Sequence, residues 1–216
     1  MLLGFLEVAV HNLLFVRHVY PREIFERRRE YGMAVWMSRH PALNLSISDA
    51  LEALRPHLLR GVIEVIVLAL LGPDGAVIEQ YSFDVDLNAD GGVGATYSDV
   101  ETQLASALTR IALLEGVAQA VPAGTTFTLL AATHEELLGD VNSGPGGRGV
   151  LGLSTGWARV DRGDPEAAFF AAEQEVPNAT RDGQRSRVAI SPAFKTVQAG
   201  PMKISIRRQT WSSHAR

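Results

Sequence analysis

Residues 5–41 read FLEVAVHNLLFVRHVYPREIFERRREYGMAVWMSRHP. Between residues 2 and 20, apolar residues recur at steps of three and four, which is the spacing of one face of a helix. These residues are Leu2, Leu6, Ala9, Leu13, Val16 and Tyr20. Further apolar residues widen this stripe, so the helix is predicted to be buried on most sides. Pro21 should end it at Tyr20, because the residue before a proline is pushed out of helical conformation.

The second half of the stretch leads into another helix. Residues 22–37 carry the charged run ERRRE at positions 26–30, and we interpret them as a solvated connector. Pro41 suits the first position of a helix over residues 41–59. The buried face of that helix is predicted to consist of Leu43, Ile47, Leu51 and Leu54.

After residue 60 the pattern becomes that of strands. Residues 62–71 form a continuous apolar run, which predicts a central strand covered on both faces. The sequence GPDG at 72–75 is a strong turn signal. Tyr81, Phe83 and Val85 then alternate with polar residues, which predicts a strand with one solvated face. Together these segments predict a β-hairpin.

A third helix and a third strand follow. Apolar spacing predicts a helix over residues 97–120, and TTFTLLAAT at 125–133 reads as a strand. The order helix, helix, strand, strand, helix, strand predicts an α+β fold with three helices on an antiparallel sheet. Residues 137–187 are rich in glycine and polar residues, and two strand islands come after them, at 188–190 and at 202–207. Such a long irregular segment is typical of a functional lid or of disorder.

Composition narrows the classes of function. The net charge of −4 does not suggest direct contact with nucleic acid. Without cysteine the chain can form neither a disulfide nor a cysteine-based zinc site. Its apolar runs are too short to span a membrane, and the N-terminal run lacks the basic region of a signal peptide.

Two short motifs suggest ligand sites that their context does not support. DLNADG at 86–91 begins like a calcium loop, but Tyr97 stands where the bidentate glutamate is needed, and a strand precedes the loop. GRGVLG at 147–152 matches a dinucleotide-binding fingerprint without a strand before it or a helix after it. No cofactor or metal is predicted.

A third motif leaves an enzymatic alternative open. The sequence GLSTG at 152–156 matches the GxSxG motif, in which Ser154 would be the nucleophile. An acid, Asp161 or Asp164, and then His214 follow in the chain order that α/β-hydrolases use. The parallel strand–helix repeats of such hydrolases are missing. A serine hydrolase is therefore only a remote alternative, and we predict that the chain is not an enzyme.

The first block of sequence resembles a known family. FLEVAVH, VYP, the MSRHP at 37–41 and the GTTFTLL at 124–130 resemble the HORMA-domain accessory subunit of DNA polymerase zeta, in the mitotic-arrest-deficient-2-like family. The resemblance implies one HORMA domain, with a core at residues 1–136 and a C-terminal seat belt at 137–216. It also implies a non-catalytic, nuclear and cytoplasmic adaptor in DNA damage tolerance.

The resemblance implies two binding surfaces. The belt should close over a proline-containing peptide of the polymerase zeta catalytic subunit, held by Trp157, Ser46, Tyr20, Ile47 and Leu153. Ser46 stands where the family has an aromatic residue, so either the pocket has a different shape or a nearby side chain such as Tyr20 or Trp36 supplies that surface. The C-terminal domain of a scaffold translesion polymerase should meet Val188, Ile190, Ser205 and Arg207. Other HORMA proteins are further implied partners, and a spindle-checkpoint or meiotic peptide-binding role is the alternative.

Overall fold

The computed structural model describes residues 1–86, 97–116, 118–133, 150–152, 187–190, 195–199 and 202–212. Its helices are α1 (Leu2–Val16), α2 (Pro41–Leu59) and α3 (Tyr97–Leu113), with short 3-10 turns at Arg22–Ile24 and Leu114–Gly116. Its strands are β1 (Phe25–Glu30), β2 (Met33–Ser38), β3 (Ile63–Leu71), β4 (Val77–Asp86), β5 (Thr126–Thr133), β6 (Val150–Gly152), β7 (Arg187–Ile190), β8 (Lys195–Ala199) and β9 (Met202–Ser212). The predicted α+β class is confirmed.

The main sheet is antiparallel throughout, in the order β6-β5-β3-β4-β9-β7, and β8 pairs with β9 beside β7. β3 lies between β4 and β5, with Ile66 opposite Phe83 on one side and Ala131 on the other. Both faces of β3 are covered, since Val67 and Leu68 are each almost fully buried. The continuous apolar run thus forms a central strand, as predicted.

The helices α1 and α2 confirm their predicted buried faces. α1 packs against α2, α3 and β2, and its residues from Phe5 to Val16 other than Glu7 are buried. α2 has the predicted bounds; Pro41 is its first residue, and the His40 ring accepts a hydrogen bond from the Leu43 N–H at 3.4 Å. No helix in the described part of the chain is long and apolar enough to cross a membrane.

The prediction that α1 extends to Tyr20 is wrong, because the helix ends at Val16. His18 adopts a left-handed conformation with φ 54°. The Val19 N–H then donates to the Leu14 carbonyl at 3.1 Å, and the His18 N–H donates to the Phe15 carbonyl at 3.0 Å. This pair of bonds is the Schellman arrangement that closes helix ends. The chain therefore turns four residues before Tyr20.

The interpretation of residues 22–37 as a solvated connector is also wrong, because they form most of the β1–β2 hairpin. Tyr31 and Gly32 both have positive φ, 50° and 72°, as a two-residue type I′ hairpin turn requires. The hairpin is attached to α1 by side chains. Asn12 Oδ1 accepts the Trp36 N–H at 3.1 Å, and His11 Nδ1 accepts the Ser38 N–H at 3.4 Å.

Three further boundaries or burials differ from the predictions. α3 ends at Leu113, and a 3-10 turn continues only to Gly116, not to residue 120. In β4, Gln80 and Ser82 are buried, so this face is not solvated as predicted. A second small cluster lies on the other face of the sheet, formed by Val67, Ala69 and Leu130 with Val65 and Val77 packed against it. β6 and β8 were not predicted, and β9 extends to Ser212.

Candidate peptide-binding site at the β5 edge

Within the described part of the chain, the outer side of β5 is only partly paired. Residues 126–133 of β5 pair with β3 along its full length, whereas β6 pairs only with residues 130–132. Among the described residues, no strand pairs with the outer side of residues 126–129. Backbone N–H and C=O groups on such an edge can take up an extended peptide as an additional strand. We call residues 126–129 the open edge.

Tyr20 lies beside the open edge. Its ring contacts Phe127 edge to face, with the ring centroids 6.2 Å apart. Tyr20 is half-buried, and this burial raises the pKa of its phenol, which therefore stays neutral near pH 7. The position follows from the Schellman turn, because α1 ends at Val16 and the chain turns at His18 before it reaches Tyr20. An aromatic side chain thus contacts the side chain of one residue of the open edge.

Trp36, the other aromatic residue considered for this role, is already engaged. Its ring stacks on Phe15 with centroids 4.1 Å apart, and the Arg27 guanidinium lies 5.0 Å from its centroid. Phe15 in turn carries the Arg22 guanidinium at 4.5 Å. These contacts make Trp36 part of the hairpin's packing on α1. Tyr20 is accordingly the aromatic candidate in the described part of the chain.

The α2 candidates have different environments. Ser46 is half-buried, whereas Ile47 is fully buried within the main core. A role of either in peptide binding stays a prediction. Asn44, which sequence reasoning missed, donates its Nδ2 to the Ser38 carbonyl at 3.0 Å. Its Oδ1 is buried and accepts no hydrogen bond from the described part of the chain.

The belt candidates Trp157 and Leu153 lie outside the described residues, as do Ser154, Asp161, Asp164 and His214 of the hydrolase alternative. The calcium-like motif is described only at Asp86, and the glycine motif only at 150–152, which form β6. The described residues contain no group of three or more His, Asp or Glu side chains placed to hold a metal ion.

The second predicted surface falls on adjacent strands. Val188 and Ile190 lie in β7, opposite Trp211 and Gln209 of β9. Ser205 and Arg207 lie further along β9, opposite Asp84 and Ser82 of β4. The fold therefore places the four positions on β7 and β9, two neighbouring strands at one edge of the sheet. Whether they bind a partner stays a prediction.

Comparison with known proteins supports a specific fold family. The family model described as "HORMA domain" matches residues 1–128. Over 137 residues the chain is 36% identical to the rat and the human "Mitotic spindle assembly checkpoint protein MAD2B", covering 61% of this chain and 63% of each relative. It is 25% identical over 130 residues to the "DNA polymerase zeta processivity subunit" of Arabidopsis thaliana, covering 60% of both chains. The chain thus aligns with less than two thirds of the length of these relatives.

Solved structures share the architecture. A chain of a crystal structure of the mitotic checkpoint complex superposes with a TM-score of 0.66 at 17% identity, covering 98% of this chain and 97% of that one. C. elegans HTP-2 bound to the HIM-3 closure motif superposes with a TM-score of 0.60 at 13% identity, covering 97% and 88% of the two chains. At these identities the likeness concerns the fold alone.

Proposed function

The chain belongs to the HORMA-domain family, and we propose that it is a non-catalytic adaptor for translesion DNA synthesis. In this proposal it holds a proline-containing peptide of the polymerase zeta catalytic subunit under its C-terminal segment. It also bridges that subunit to the C-terminal domain of a scaffold polymerase, through the β7 and β9 positions. The adaptor would work in the nucleus, with a cytoplasmic pool.

The observation that carries the proposal is the open edge of β5 beside Tyr20. An extended peptide would obtain its affinity from main-chain hydrogen bonds along residues 126–129. Selectivity would come from side chains bordering the edge, with Tyr20 from the described residues and Trp157 from the segment that follows β6. Aromatic rings suit proline because both are rigid, so that little conformational entropy is lost on contact.

The choice of polymerase zeta rests on the relatives. Proteins named as the processivity subunit of this polymerase align with the chain in plants and in Schizosaccharomyces pombe, the latter at 32% identity over 82 residues. The alternative, a spindle-checkpoint or meiotic role, is favoured by the name of the animal relatives and by the closure-motif complexes with the same fold. Both roles use a peptide strand, so partner identity distinguishes them.

Binding kinetics test the proposal. A labelled peptide bearing two apolar residues followed by spaced prolines should bind the full chain and dissociate slowly, because a closing segment lowers the off-rate. Tyr20→Ala and Trp157→Ala should each speed dissociation by about tenfold, equivalent to about 1.4 kcal/mol. Tyr31→Ala is the matched control: Tyr31 is also half-buried and contacts Phe5 edge to face, but in the hairpin. It should leave the off-rate unchanged.

Three outcomes are informative. If the peptide binds tightly and neither Tyr20→Ala nor Trp157→Ala weakens its binding, these two residues do not form the peptide-binding site. Equal loss in all three variants would indicate general destabilisation. Binding of a checkpoint or meiotic closure peptide in place of the polymerase peptide would transfer the function to the alternative, with Ser46 the first position to examine.

A further inference from the structure

A buried carboxylate connects the last strand to the helical layer. Glu79 of β4 is 2% exposed. Its Oε2 accepts from Arg17 Nε at 2.8 Å, and Arg17 Nη2 lies 2.7 Å from the same oxygen. Its Oε1 accepts from the Tyr81 hydroxyl at 2.6 Å and from Arg208 Nε of β9. We call these four residues the Glu79 cluster.

The Glu79 cluster joins segments that are distant along the chain. Arg17, the residue after α1, is 4% exposed and also donates its Nη2 to the Gln119 carbonyl, beyond α3, at 2.6 Å. Glu79 and Tyr81 lie in β4, where Tyr81 is opposite Arg208 in register. Arg208 is thus the contribution of β9 to a cluster whose other members all precede residue 90.

Arg208 makes a directional side-chain contact between β9 and β4, unlike the backbone ladder of these strands and the apolar contacts of Ile206. The ladder between these strands is made of backbone groups, which any strand in any register can offer. Ile206 adds apolar burial, which is likewise non-directional. The charged pair between Arg208 and Glu79 forms only when Arg208 is opposite Tyr81. A hydrogen bond between charged groups is also stronger than a neutral one.

The charge balance of the cluster allows β9 to leave without disrupting the rest. Burial, followed by the charge of Glu79, raises the pKa of Tyr81 well above its usual value, so its hydroxyl is neutral. If Arg208 departs, Arg17 still neutralises Glu79, and Tyr81 still donates to Oε1. No uncompensated buried charge remains. The side chain of Arg208 is itself 20% exposed, so water can reach it at the margin of the core.

We propose that Arg208 is a positioning residue that holds β9 on β4 through Glu79, and so sets how long the C-terminal strand stays docked. The inference concerns a strand of this chain and is independent of which peptide the protein binds. Removing the charge should release β9 locally while α1, α2 and β3 stay folded.

Amide hydrogen exchange on the full chain, followed by mass spectrometry, tests this. Arg208→Met keeps the apolar stem of the side chain but removes its charge. It should speed exchange of the amides in residues 202–212 by about tenfold, the factor expected from losing one hydrogen bond to a charged group. Exchange within α2 should not change. Arg208→Lys, which retains the charge, should lie closer to the wild type than Arg208→Met.

Lys203→Met provides the matched control, because it removes an exposed positive charge from the same strand. It should leave exchange in residues 202–212 as in the wild type. Unchanged exchange of β9 in Arg208→Met would overturn the proposal, as would an equal rise in β9 and α2. Exchange in Arg208→Lys as fast as in Arg208→Met would also overturn it. If Arg208→Met does not fold, Arg208→Gln, which also removes the charge, takes its place: faster exchange confined to residues 202–212 supports the proposal, and exchange equal to the wild type contradicts it.

Discussion

Two polar side chains on α1, His11 and Asn12, are almost fully buried in an otherwise apolar helix. Both accept backbone N–H groups of β2, at Ser38 and Trp36. Asn12 also donates its Nδ2 to the Val8 carbonyl of its own helix at 2.7 Å. Buried polar groups are tolerated when they are hydrogen-bonded in this way. The two residues therefore attach the hairpin to the core by hydrogen bonds, in addition to the stacking of Trp36 on Phe15.

The burial of His11 predicts a pH dependence of stability. Burial, with a smaller effect of the Arg28 charge, lowers the pKa of His11 from 6.5 to about 4. Between these values the unfolded chain binds a proton that the folded chain does not, so stability is complete above pH 6.5 and falls as pH drops toward 4. The gap corresponds to about 3 kcal/mol.

Urea unfolding at several pH values, compared between the wild type and His11→Asn, measures this contribution. The wild type should be the more stable protein near pH 7, because the variant disturbs the bond to Ser38. This advantage should shrink steadily from pH 6.5 to pH 4, since only the wild type carries the titrating ring. Parallel pH profiles of the two proteins would refute the explanation.

At the scale of elements, the end of α1 determines where the candidate site lies. The Schellman turn at Arg17 and His18 directs residues 19–20 toward β5, where Tyr20 meets Phe127. A non-glycine residue with φ 54° is strained. His18 is exposed, and no hydrogen bond of its side chain compensates for that strain among the contacts described.

Replacing His18 with glycine should therefore stabilise the protein. Glycine adopts the left-handed conformation without steric cost, and we expect the free energy of unfolding to rise by about 0.5–1 kcal/mol. His57→Gly is the control, because His57 lies in the last turn of α2 with helical geometry. There glycine should lower stability by about 1 kcal/mol. Thermal or urea unfolding measures both; a loss of stability in His18→Gly would show that the imidazole makes a contact that matters more than the strain.

At the scale of the whole molecule, the Glu79 cluster connects α1, β4, β9 and the segment after α3. Removing the carboxylate leaves Arg17 buried without its counter-charge, which typically costs about 3–5 kcal/mol. We expect Glu79→Gln to lower the free energy of unfolding by roughly that amount in urea unfolding. Glu52→Gln is the control: Glu52 pairs with Arg55 on the exposed surface of α2, where ion pairs contribute little. If Glu79→Gln and Glu52→Gln have similar free energies of unfolding, the Glu79 cluster does not stabilise the fold.

Local sequence signals predicted α2, β3 and β5 with nearly correct bounds, and they predicted β4 from its second half. Proline at the start of α2, the apolar run of β3 and the GPDG turn each act within a few residues. The β1–β2 hairpin escaped prediction because its strand residues 26–30 are charged and its turn is Tyr-Gly rather than Asn-Gly. What makes this segment a strand pair is its attachment to His11 and Asn12 of α1.

The candidate site was only partly predictable. Tyr20 and Trp157 were predicted from the family resemblance. The contact of Tyr20 with Phe127 was not predicted, because it depends on the end of α1 at Val16, whereas Pro21 indicated an end at Tyr20. The local sequence indicates neither Asn44 nor the open edge of β5, because the pairing of a group with the other described residues is known only once those residues are placed.

The sequence by itself determined the class of fold, since periodicity and turn chemistry are local and act before any long-range contact forms. It also determined the absence of cysteine chemistry. Tertiary structure alone decided where Glu79 finds its partners, 62 and 129 residues away at Arg17 and Arg208. The alternation of β4 places Glu79 on the same face as Tyr81 and Phe83. The two cations that pair with it come from distant segments, because charge pairing is a property of the assembled fold.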